Sequence, residues 1–197
     1  MGTLRDFSPL VSTPSQTISD WSIEGVAAKV PRNFSRGVFL SSQISGLEKL
    51  YCCLHSVSSA SITMTASFRK YKEITLYGRQ LGSYRSRSSS SSTVMASWNL
   101  GNEETIRPAR INYFAERSVC INSEWVTHLL FSASWFKTHP KQQEYGKPIS
   151  LWECDIFEIP GQYSILPVQA IKCRTLSLED KLEGGETVLF ICPCIDF

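Results

Sequence analysis

The stretch Val126-Thr-His-Leu-Leu-Phe-Ser-Ala-Ser-Trp-Phe-Lys-Thr-His-Pro140 decides how this chain reads. Side chains alternate along an extended chain, so Leu129, Phe131, Ala133 and Trp135 line one apolar face of a long strand. His128, Ser132, Ser134 and Phe136 fall on the other. Pro140 stops the strand, because it has no N–H for a ladder and restricts the residue before it. A strand ending in Trp-Phe and a basic, proline-bearing turn suits a small β-barrel interaction module.

The flanking segments carry the same period. Arg107–Val119 sets Ile111, Tyr113 and Ala115 against polar neighbours. Ser150–Phe157 places Trp152, Cys154 and Ile156 on one face, with Glu153 and Asp155 opposite. Tyr163–Arg174 reads as a further strand, with Ile171, Cys173 and then Thr175 inward and Lys172 and Arg174 outward. Thr187–Cys192 is an apolar run suited to a last, central strand. Five or six short strands with Gly/Pro turns predict a barrel over 106–197, whose core holds Phe131, Trp135, Trp152 and Ile171.

Upstream the pattern changes. Ile44, Leu47, Leu50, Tyr51 and Leu54 recur at helical spacing behind Ser41 or Ser42 as N-cap. Thr- and aromatic-rich runs at Ser61–Phe68 and Tyr71–Tyr77 predict strands, with a turn bracketed by Gly78 and Gly82. An Arg/Ser tract from Arg85 to Ser92 reads as a solvated loop, and Thr93–Trp98 returns to strand character. Residues 37–105 thus form a helix plus a β-hairpin region. Residues 1–36, rich in Ser, Thr and Pro, read as an arm or linker with one short helix over Trp21–Lys29, ended by Pro31. The expected fold class is mainly β: a small barrel with an N-terminal helix and a preceding hairpin region.

Composition narrows the function. The 197 residues are 42% hydrophobic, ample for a core, and carry a net charge of +2. No apolar run is long enough for a membrane span, and no secretory signal opens the chain, so the expected location is intracellular. Seven cysteines, two of them adjacent, make a poor disulfide framework and read as small buried hydrophobes. Cys192-Pro-Cys194 has the wrong spacing for a zinc knuckle, so neither metal nor cofactor is expected. A phosphate loop and a Gly-x-Ser-x-Gly elbow are both lacking. Glu153, Asp155 and Glu158 are the one strand-borne carboxylate cluster that a metal-dependent nuclease could use, and no other strand carries a partner for them. The chain reads as a non-enzyme.

Between Arg69 and Arg117 there are nine Lys/Arg and four Glu. Such a local excess suits contact with nucleic-acid backbone, with Arg69, Lys70, Arg85 and Arg87 as the contacting residues. A solvated loop accounts for the same residues.

The order Pro-Ala-Arg-Ile…Glu, Trp-Phe-Lys-x-His-Pro, Asp-x-Phe-Glu and Pro-Val-x-x-Ile-x-Cys resembles a bromo-adjacent homology (BAH) domain. Its segments are Ala109–Glu116, Ser134–Pro140, Asp155–Glu158 and Pro167–Cys173. The chain departs from that pattern at Lys137-Thr-His139, where the family carries an Arg-Pro pair, and in the short interval before Trp152. Residues 37–197 also resemble C-terminal regions of proteins encoded by animal transposable elements, through Tyr71-Lys72…Gly78, Leu81-Gly-Ser83, Val94-x-Ala96-x-Trp98 and Gly146-Lys-Pro148. The BAH resemblance implies a non-catalytic domain recognising a chromatin-type protein partner such as a histone tail, and hence a nuclear setting. It also implies an aromatic cage for a cation. Trp125, Trp135, Phe136, Tyr145, Trp152 and Phe157 are the aromatics on hand. Trp135 and Trp152 lie on apolar faces and read as core. Phe136 and Tyr145 remain for the ligand, with Asp155 or Glu158 as counter-charge. Nucleic-acid backbone binding is the alternative.

Overall fold

A computed structural model of the chain describes residues 27–86, 91–98, 105–144, 148–160 and 164–194. Among these residues are thirteen strands and one α-helix. The strands are β1 (Ala28–Lys29), β2 (Ser35–Val38), β3 (Ile62–Met64), β4 (Ser67–Tyr71), β5 (Glu73–Leu76), β6 (Arg79–Gly82), β7 (Thr93–Ser97), β8 (Ile106–Ile121), β9 (Glu124–Thr138), β10 (Ser150–Phe157), β11 (Ile165–Pro167), β12 (Ile171–Lys181) and β13 (Thr187–Pro193). The helix α1 (Ser41–His55) lies between β2 and β3. No helix among the described residues is long and apolar enough to cross a membrane.

Six antiparallel strands close a barrel in the order β9-β10-β13-β12-β7-β8, with β8 returning to β9. Closure removes the unpaired edges that an open sheet would present. Phe136, Trp152, Leu189 and Ile191, with Met95, Cys154 and Phe157 against them, come from four of these strands and fill the interior. The β8/β9 hairpin is longer than the barrel needs. Its far half continues as an open sheet that pairs β8 with β4 and β3 and β9 with β11, and β2 adds to β4.

The hairpin turns through Asn122 and Ser123, whose φ values of 50° and 71° are those of a type I′ turn. A bulge then sets its faces. Ile111 pairs with Ala133 but Tyr113 pairs with Ser132, leaving Asn112 as the extra residue. The Asn112 side chain donates to the hydroxyls of Ser132 and Ser134 at 3.3 and 3.0 Å. The expected row Ile111, Tyr113, Ala115 is therefore broken. Ile111 and Phe114 share one core, whereas Tyr113 and Ala115 belong to another.

That first core sits on the outer wall of β12-β7-β8-β9. It is covered by Ile74, Leu76 and Leu81 of the small β1-β5-β6 sheet and by Leu166 to Ile171. Leu129, Phe131, Ala133 and Trp135 share this core, as their period predicts, but it lies outside the barrel: of the four residues expected in the barrel core, Phe131, Trp135 and Ile171 are here and Trp152 alone is in the interior. The opposite face of β9 is buried as well. His128, Ser132 and Phe136 are 2%, 4% and 3% exposed, because α1 covers the far half of the hairpin and the barrel encloses the near half.

Helix α1 packs Leu47, Leu50 and Tyr51 on Val119, Ile121 and Leu130. Each such side chain contributes roughly 1.5–3 kcal/mol by leaving water. Its N-cap is Leu40, one residue before the serines expected there, and the Leu40 N–H is held by the Gln43 side chain at 3.0 Å. Ser56 ends the helix in the left-handed region at φ 51°.

Several expectations change. Ala28–Lys29 pairs with β5, so the end of the expected Trp21–Lys29 helix is strand, and residues 1–26 lie outside the described residues. Gly82 lies within β6, and the turn is made by Tyr77 and Gly78 at φ 49° and 78°. Asp155 takes φ 54° where β10 shifts register against β9. That irregularity turns Phe157 into the barrel and leaves Ile156 50% exposed, reversing the face expected for Ile156. The line drawn at 105/106 also divides one sheet, since β7 supplies a barrel strand and β4 extends β8.

Candidate functional site

Three of the four residues expected to hold a cation come together. Phe136 is 3% exposed, packed against Phe157 at 4.9 Å between ring centroids inside the barrel. Glu158 accepts from Arg107 at 3.0 Å, and Asp155 from Arg110 at 2.5 Å. Tyr145 lies outside the described residues.

The same two arginines cover the nearby rings. The Arg107 guanidinium stands 4.5 Å from the Trp98 ring and 5.6 Å from Trp152, and Arg110 stands 4.2 Å from Phe157 and 5.0 Å from Tyr84. This aromatic and acidic cluster already holds the protein's own cations. Glu153 lies 3.7 Å from Lys137, so each carboxylate of the expected nuclease cluster has a basic neighbour. Among the described residues no group of three His, Cys, Asp or Glu converges as a metal site. Burial raises the Cys154 and Cys173 thiols above their ordinary pKa, the opposite of what activates a nucleophile.

A different site forms on the far half of the hairpin. The β8 ladder has a gap on its β4 side: β4 pairs with 114–116 and β3 with 119–121, so among the described residues 117 and 118 face no strand there. A cavity of about 690 Å³ opens at this gap. Arg36, Arg69, Glu116 and Leu129 form one cross-strand row over β2, β4, β8 and β9, placing two arginines directly opposite each other at its rim. Like charges so placed repel. Ser118 and Thr127, their hydroxyls 3.1 Å apart, line the cavity beside Thr65 and Ser67. Phe34 and Trp125, 49% and 63% exposed, are its aromatic walls.

Arg117 lines the same cavity and is 3% exposed. It donates through Nη2 to the Thr65 carbonyl and lies 5.2 Å from the Phe39 ring. Its Nε and Nη1, both shielded from solvent, have no hydrogen-bond partner, and no carboxylate among the described residues pairs with it. Burial lowers its pKa, yet a guanidinium stays charged at neutral pH. Glu116 does not compensate it. One Glu116 oxygen accepts from Arg69 at 2.9 Å and the other from Tyr71 at 2.6 Å. Burial, reinforced by Glu116, pushes the Tyr71 pKa up to about 12, so Tyr71 remains a donor.

Behind Arg117, its cross-strand partner His128 stacks on Tyr51 at 5.3 Å and bonds the Tyr51 hydroxyl through Nδ1 at 2.7 Å. Burial, with His55 and Arg117 nearby, pulls the His128 pKa down to about 4. The imidazole is neutral at physiological pH, which spares the interior a second buried cation.

No protein-family model, curated protein or solved structure matches this chain. The geometry of the cavity therefore carries the functional reading.

Of the residues expected to touch nucleic-acid backbone, only Arg69 is placed at this cavity. Lys70 lies across the Tyr113 ring at 4.5 Å, and Arg85 bonds the Tyr84 hydroxyl at 2.7 Å. Arg87 is outside the described residues. Sequence reasoning missed Arg36, Arg117 and the placement of Trp125. The available signal was the row Ala115, Arg117, Val119, Ile121, in which one arginine interrupts an apolar period of two.

Proposed function

We propose that this chain is a non-catalytic binding domain that holds an anionic segment of a macromolecular partner in the groove between β2, β4 and the far half of the β8/β9 hairpin. The observation that carries this reading is Arg117, a buried cation without a counter-ion among the described residues, beside an open cavity. An unpaired buried charge costs several kcal/mol, and an incoming carboxylate or phosphate offsets that cost. Arg36 and Arg69 add two more guanidiniums, whose planar forks suit both groups. The chromatin-type protein partner implied by the BAH resemblance would meet this groove through an acidic or phosphorylated segment. A basic tail at Phe136 would have to displace Arg107 and Arg110 from Glu158 and Asp155.

Arg36 is exposed and has no ion-pair partner among the described residues, so Arg36→Glu tests the groove without disturbing the fold. Four labelled probes serve: a single-stranded oligonucleotide, a duplex, an acidic peptide and a phosphoserine peptide. At least one should bind at 50 mM salt, and Arg36→Glu should weaken it tenfold or more. Absence of binding by all four, or binding indifferent to Arg36→Glu, overturns the reading.

A further inference from the structure

Resting on that reading, we infer that the groove seats a short run of single-stranded nucleic acid, with a phosphate on Arg36 and Arg69 in the field of the buried Arg117, and a base stacked on Trp125. A carboxylate or a phosphate would satisfy the arginines equally, so the walls of the groove must discriminate. Trp125 is 63% exposed and its indole meets no other ring and no cation among the described residues. Exposed aromatic faces beside a basic groove are the platforms on which single strands stack, because every base offers a π-face. Acidic peptides bring no flat group to cover an indole.

Placement agrees. Ser118 pairs with Thr127 and Cys120 with Trp125, so Trp125 stands two residues along β9 from the hydroxyl pair. Two residues of strand span about 7 Å. The Arg36–Arg69 row meets β9 at Leu129, four residues or about 13 Å from Trp125, so the long arginine side chains must reach along the groove toward the hydroxyls. The Ser118 and Thr127 hydroxyls line the intervening space, where a sugar would lie. At the other end, one side of the Phe34 ring is covered by Arg69 at 5.1 Å, leaving Trp125 as the principal platform. The site is concave, whereas duplex grooves are read by projecting helices or ribbons.

The three guanidiniums, one of them shared with Glu116, imply two or three phosphate contacts. For a single strand, log K should then fall with log salt at a slope of about −1.4 to −2.1, shallow for a nucleic-acid binder. Titrating the same four probes between 50 and 200 mM salt tests the assignment. The expected result is preference for the single strand with that slope. Arg36→Gln should flatten the slope by about 0.7, and Trp125→Ala should weaken binding roughly 5- to 150-fold, the range one stacked base supplies. Both positions are exposed, so an unchanged thermal midpoint certifies each variant. Tighter binding of either peptide or of the duplex, or a Trp125→Ala variant that binds the single strand as the parent does, overturns this inference and leaves the anion groove standing. Silence from every probe overturns both.

Discussion

Trp135 and Phe136 are neighbours on β9, and their rings enter different cores. Trp135 is 3% exposed and meets Trp98 edge-on at 4.9 Å on the outer wall of the barrel. Replacing it by Ala removes a large ring from a buried core, at a cost of about 3–5 kcal/mol. An unchanged denaturant midpoint in Trp135→Ala would show that the ring is not packed as described. His128 makes a pH-dependent contribution. Its folded pKa of about 4 lies below the unfolded value near 6.5, so the unfolded chain binds more protons between these limits. The stability is present above pH 6.5, is lost as pH falls toward 4, and changes no further below. Between pH 7 and 5 the loss is about 2 kcal/mol. Urea unfolding at those two pH values should show that fall in the parent and a smaller one in His128→Gln. Equal falls would assign the effect to other groups, His55 first, since burial lowers its pKa too.

At the scale of single elements, legibility followed burial. β9 was readable because one face packs on a continuous core and its period is unbroken. β8 and β10 were misread in part because each contains an irregularity that no alternation rule anticipates, the bulge at Asn112 and the left-handed Asp155. Asn and Asp tolerate such positions, so residue type offered a hint, though not one that locates a bulge. β2 was hidden in a Ser/Thr/Pro-rich segment because it is four residues long and mostly exposed. Its one demanding position is Gly37. A Cβ there would stand 2.4 Å from the tip of the Phe68 ring. That ring is not free to swing, being stacked on Phe39 at 4.1 Å and on Tyr113 at 5.5 Å. Gly37→Ala should therefore cost about 1–3 kcal/mol, as overpacking does. A melting temperature equal to the parent's would show that β2 yields instead. Because Arg36 sits on the same strand, the variant should also weaken any ligand of the groove.

For the whole molecule, strand order matters more than sequence order. The barrel needs β7 from upstream of its other strands, and the groove draws on residues from Phe34 to Thr127. Neither could be inferred from local pattern, because nothing in a strand's own residues names its neighbour. The candidate site was legible only in Arg69, and the closed β architecture was legible in outline. Residues 106–197 expressed alone lack β7 and every cover that β4 to β6 provide. They should show no cooperative urea transition, while residues 27–197 should show a single one. A cooperative transition in the shorter chain with the parent's midpoint would support a boundary at 105/106.

The exposure of Trp125 has an optical consequence. Trp135 and Trp152 are buried, and Trp98 packs beside Trp135, so their emission is that of indoles shielded from water. Trp125 emits from solvent. The difference spectrum between the parent and Trp125→Phe isolates the one indole among the described residues that borders the groove. Occupancy there can be followed as quenching or a blue shift of that component alone, with no label attached to the protein.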